Sequence, residues 1–108
     1  DLNVAAIAVF TQTGRTARLM SKMRPQVPIF AFTPSTEKFH QLSSMWGVKP
    51  VHVPMEKSLE AMVNSASRYL LDNYTFERGK QVVIIGGYPV ESVRPPNMAL
   101  LHTLGDVL

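Results

Sequence analysis

Residues 4–23 read VAAIAVF, TQTGRT, ARLMSKM. The first block, Val4 to Phe10, is apolar without a break and is followed by turn formers. A short apolar run bounded in this way has the length and composition of a strand buried on both faces, the kind parallel sheets contain. In the third block the period changes. Thr16, Leu19, Met20 and Met23 fall at i, i+3, i+4 and i+7, one face of a helix, while Arg15, Arg18 and Lys22 fall on another. Pro25 stops that helix just after Arg24. Strand, polar turn and amphipathic helix thus follow one another within twenty residues.

The same alternation continues outward. PIFAF, Pro28 to Phe32, is a second strand, and Thr33-Pro34-Ser35 is a turn with Ser35 placed as an N-cap. Phe39, Leu42, Met45 and Trp46 form a second helical stripe, with Gly47 at the position after the helix where left-handed backbone is needed. Val48 to Val53 is a third strand interrupted by Pro50. Ser58 caps a longer helix whose Leu59, Met62, Val63, Ala66 and Leu70 point inward. Arg78-Gly79-Lys80 is a return turn, Val82 to Ile85 a fourth strand, and Met98 to Leu104 a fifth, reached through a loop from Gly86 to Pro96. Strands alternating with helices imply parallel pairing through right-handed crossovers. The last strand has no helix before it, so it returns antiparallel near an edge. The expected architecture is a three-layer α/β/α domain over residues 1–108. Its mixed five-stranded sheet has the order 3-2-1-4-5.

Composition excludes several classes. With 45% hydrophobic and 18% charged residues the chain is not a disordered one. No apolar run approaches the roughly 20 residues of a membrane span, and the start, Asp-Leu-Asn-Val, lacks the basic region of a secretory signal. There is no initiator Met, which reads as a piece of something longer. A cytoplasmic protein is expected, with no membrane partner. The absence of cysteine excludes disulfide scaffolds, zinc ribbons and thiol nucleophiles. A net charge of +3 with the basic residues dispersed is not a nucleic-acid signature.

In open α/β sheets ligands bind beyond the carboxyl ends of the strands, at the switch point in strand order. With the order 3-2-1-4 that crevice lies between the loops after strands 1 and 4. Thr11, Gln12, Thr13, Gly14, Arg15 and Thr16 place hydroxyls, a glycine and an arginine at a helix N-terminus, whose unpaired N–H groups and partial positive charge attract phosphate. Gly14 lets the backbone approach closely, and Arg15 adds charge. The spacing is not that of a P-loop, because no second glycine followed by lysine is present. An ordinary capped helix start, with Thr13 as N-cap, accounts for the same residues.

Phe10 to Arg18, FTQTGRTAR, is similar to the T-x-[ST]-G-R-[ST]-A motif of the C-terminal domain of pyruvate kinases. Arg24-Pro25-x-x-Pro28-Ile29-x-Ala31-x-Thr33, Gly47-Val48-x-Pro50-Val51 and Gly79-x-x-Val82-Val83-Ile84 resemble further family motifs in the same order. The resemblance covers about Ala5 to Leu104. It implies a non-catalytic domain that binds an allosteric effector and helps assemble a homotetramer, with the Thr11–Thr16 loop holding an effector phosphate. It also implies a parent enzyme that transfers phosphate from phosphoenolpyruvate to ADP in glycolysis. The Mg²⁺ and K⁺ of that parent belong to a catalytic barrel absent from this chain, so no catalytic residue, metal or cofactor is expected here. The resemblance places Gly87, Tyr88, Pro89 and Arg94 in the effector loop expected to close over the ligand, where Arg94 can offset Glu91. That loop departs from the bisphosphate-regulated pattern: Gly86 to Asn97 reads GGYPVESVRPPN, without further glycines and with Glu91, which repels phosphate. A sugar monophosphate, AMP or no effector therefore stands beside fructose 1,6-bisphosphate.

The remaining residues read as structural. His40, His52 and His102 have no metal-ligand spacing, and the methionines are core fillers. Glu56, Glu60, Asp72 and Glu77 form no acid/base pair. Trp46 and Tyr69 suit packing better than stacking on a base. The apolar edge of Leu100 to Leu104 invites either pairing with another subunit or an intramolecular cover.

Overall fold

The computed structural model describes residues 4–11, 15–23, 26–54, 58–73, 76, 78–86 and 98–105, and within these the side chains of residues 15, 16, 19, 23, 59 and 98 are outside the description. The elements are β1 (Ala6–Phe10), α1 (Arg15–Met23), β2 (Ile29–Thr33), α2 (Thr36–Leu42), β3 (Val48–His52), α3 (Leu59–Asn73), β4 (Gln81–Gly86) and β5 (Met98–Thr103). The sheet order is β3-β2-β1-β4-β5. β1 pairs in parallel with both β2 and β4, β2 pairs in parallel with β3, and β5 returns antiparallel to β4. This is the order and the mixed pairing expected from the sequence.

Strand alternation sorts the core into two layers. Ala6, Ala8, Phe30, Phe32, Val51, Val82 and Ile84 face Val63, Ala66 and Leu70 of α3. Ile7, Val9, Ile29, Ala31 and Val48 face the other way, against Ala17 of α1 and Leu42 of α2. Helices therefore lie on both faces of the sheet, α3 on one side and α1 with α2 on the other. β1 and β2 are buried on both faces, which is why their sequences are apolar runs and not alternating ones. Pro50, which has no N–H for a ladder, is tolerated because β3 is an edge strand.

Local chemistry sets the boundaries. Ser35 caps α2, its Oγ accepting from the Lys38 N–H at 3.1 Å. Ser58 Oγ accepts from the Ala61 N–H at 3.0 Å at the start of α3. Gly79, with φ +95°, makes the turn into β4.

The second helical stripe needs a correction. α2 ends at Leu42, so Met45 and Trp46 lie beyond it. Ser43 Oγ donates to the His40 carbonyl at 2.6 Å and Ser44 Oγ to the Gln41 carbonyl at 3.0 Å. Beside these hydroxyl bonds the backbone tightens to i→i−3 pairing, the Ser44 N–H donating to the Gln41 carbonyl at 3.4 Å and the Met45 N–H to the Leu42 carbonyl at 3.1 Å, which closes the helix. Met45 still packs against the α1/α2 layer, but the Trp46 side chain is 51% exposed and not part of the core. Gly47 does adopt the left-handed conformation, φ +72°, in the turn before β3 and not directly behind the helix.

Candidate site at the switch point

The parallel strands β1, β2, β3 and β4 all present their carboxyl ends on one edge of the domain, and the order reverses at β1. Thr11 follows β1 directly. It is buried, and its N–H donates to the Phe32 carbonyl at 3.0 Å, extending the β1–β2 ladder by one step. Phe10 and Phe32 stack beneath it with centroids 4.8 Å apart. On the other side, β4 ends at Gly86. A Cβ at Gly86 would lie 3.7 Å from Phe10 Cβ and 3.2 Å from Met62 Cε, so the end of β4 is wedged between β1 and α3. The segments leaving Thr11 and Gly86 therefore start side by side.

Three helix N-termini open on this edge, and they differ in charge. α2 carries Glu37 in its first turn and α3 carries Glu60. α1 has no acidic residue there and begins with Arg15. A carboxylate in the first turn offsets the partial positive charge of a helix start. Of these three helix starts, that of α1 is the one without a first-turn carboxylate, and it follows the strand at which the sheet order reverses.

Of the residues expected to bind an effector phosphate, Thr11 follows the end of β1, and Arg15 and Thr16 open α1. Gln12, Thr13 and Gly14 lie outside the described residues, as do Gly87, Tyr88, Pro89 and Arg94 of the expected effector loop. The strands that precede the two segments, β1 and β4, are ladder neighbours.

The neighbouring strand ends are occupied by structural contacts. Thr33 is fully buried and its Oγ1 accepts from the Ser35 N–H at 3.2 Å. His52 Nε2 lies 3.1 Å from the Pro34 carbonyl, and its ring meets Phe39 edge-on at 6.4 Å. These contacts give His52 a structural role at the surface. His102 is buried on β5, and its Nε2 has no hydrogen-bond partner among the described residues.

Sequence reading missed an open hollow of about 450 Å³ along α3, lined by Asn64, Ser65, Arg68, Tyr69 and Asp72 and by Val53 beyond the end of β3. The spacing of residues 61, 64, 65, 68 and 72 marks them as the helical face opposite Met62, Val63, Ala66 and Leu70. No motif gave that face a ligand.

The family profile described as "Pyruvate kinase, alpha/beta domain" matches residues 1–102. The chain belongs to this family. Pyruvate kinases of Staphylococcus aureus strains USA300 and COL are each 39% identical to it over 106 residues, 98% of this chain and 18% of theirs. The chain thus spans under a fifth of the length of these curated relatives. The crystal structure of a pyruvate kinase from Cryptosporidium parvum superimposes with a TM-score of 0.84 at 27% identity. It covers 96% of this chain and 20% of that one. The three-layer arrangement described above is the pyruvate kinase alpha/beta-domain fold, and the stretch from Phe10 to Arg18 carries its FTQTGRTAR motif.

Proposed function

We propose that residues 1–108 form the regulatory and assembly domain of a longer cytoplasmic pyruvate kinase. The parent transfers phosphate from phosphoenolpyruvate to ADP in glycolysis, giving pyruvate and ATP, and holds its Mg²⁺ and K⁺ in a catalytic barrel outside this chain. In this reading a phosphorylated effector, a sugar phosphate or AMP, docks on Thr11, Gln12, Thr13, Gly14, Arg15 and Thr16. The loop bearing Gly87, Tyr88, Pro89 and Arg94 closes over it. The observation that carries the reading is the α1 N-terminus, without a first-turn acid, set beside the adjoining ends of β1 and β4. The effector acts on the distant active site by binding one state of a homotetramer more tightly than another.

A second reading, an assembly module without an effector, has an observation of its own. On the face covered elsewhere by α1 and α2, the β4–β5 pair is poorly covered. Val83 and Ile85 are half-buried, and Leu101, opposite Val83 in the ladder, is 42% exposed. An apolar surface on an edge hairpin suits contact with another subunit.

A thermal-shift titration of the 108-residue domain separates the two readings. The ligands are fructose 1,6-bisphosphate, glucose 6-phosphate, ribose 5-phosphate, AMP and inorganic phosphate, each tested on wild type and on Arg15→Ala. A ligand at about 100 times its Kd adds about 2.7 kcal/mol of stability, a rise of about 10 °C in a domain of this size. The expected result is a rise with one phosphorylated metabolite that Arg15→Ala abolishes. No rise with any of them, in the isolated domain and in the full-length tetramer, overturns effector binding and leaves the assembly module.

A further inference from the structure

No further inference is drawn: the strongest candidate outside the surfaces already discussed, the shallow groove beside the exposed Trp46 indole at the amino-terminal ends of β2 and β3, lined also by Val27, Pro28 and Lys49, carries nothing because nothing in the structure shows what covers it.

Discussion

Phe32→Ala tests the layer that supports the switch-point crevice. The Phe32 side chain is 1% exposed, stacks on Phe10 with an interplanar angle of 16°, and meets Tyr69 of α3 edge-on at 5.7 Å. It joins β1, β2 and the helix on that face in one contact. Truncating a buried Phe to Ala costs about 3–5 kcal/mol through lost transfer energy and the cavity left behind. Two aromatic pairs, each contributing about 0.5–1.5 kcal/mol beyond area burial, place this site in the upper half of that range. Unfolding entropy of about 2.1 cal/mol/K per residue makes 1 kcal/mol equal to about 4 °C in Tm for a domain of this length. The melting temperature should therefore fall by about 16–20 °C, followed by far-UV circular dichroism or calorimetry. Phe39→Ala is the control. That ring is half-buried, and among the described residues its aromatic contacts are the rings of His40 and His52 and it is in neither core layer. It should cost less than half as much. A fall below about 4 °C for Phe32→Ala, or equal falls for the two variants, would refute the reading of Phe32 as the contact that joins β1, β2 and α3.

His102→Leu should stabilise the domain by about 1 kcal/mol, because an unpartnered buried ring nitrogen carries a desolvation penalty of about 1–3 kcal/mol that a leucine lacks. Urea titration checks it, and a loss of stability would show that the imidazole makes a contact worth keeping. Leu101→Lys should change folding stability by no more than about 0.5 kcal/mol, since the side chain is already 42% exposed. In sedimentation velocity the same variant should lower any self-association of the wild-type domain, and unchanged association would remove the β4–β5 face from the assembly surface.

The sheet was legible because its strands differ in kind and the sequence displays the difference. β1 and β2 lie at or next to the centre, are covered on both faces, and read as apolar runs. β3 sits at an edge and reads as VKPVH, with Lys49 exposed and a proline that no central strand would accept. The sequence between β4 and β5 carries no helical period, which implies the antiparallel return that the pairing shows. α2 was less legible. Its periodicity continues to Trp46, but the backbone tightens to i→i−3 bonds after Leu42, with two serine hydroxyls also on the last carbonyls. Periodicity records which residues are apolar and not where the backbone changes its pairing, so it puts Trp46 inside while the side chain lies half in solvent. Gly86 shows the converse: nothing in its sequence context distinguishes it from the glycine that follows, and its wedged position between Phe10 and Met62 appears only in three dimensions.

The candidate site was legible as a location, because strand order follows from the order of elements and ligands favour the switch point. Its ligand was not, because a capped helix start and a phosphate cradle use the same residue types. Thr16→Glu separates them, since the two roles give opposite signs. Thr16 is the second residue of α1, a helix with no acid in its first turn. A carboxylate there interacts favourably with the helix N-terminus, by about 0.3–1 kcal/mol. The ligand-free domain should therefore melt at a slightly higher temperature, by about 1–4 °C. The same charge neutralises the terminus and repels an incoming phosphate, so the rise in Tm produced by a phosphorylated ligand should disappear. If the terminus is only a capped helix start, the small gain in intrinsic stability is the whole effect. A ligand-induced rise that survives in full in Thr16→Glu would place the phosphate elsewhere and refute the assignment of the α1 terminus, even if the domain binds an effector. Glu37 and Glu60 already stand in the first turns of α2 and α3, so the substitution gives α1 the charge its two neighbours carry, and any binding lost with it is the property that sets α1 apart.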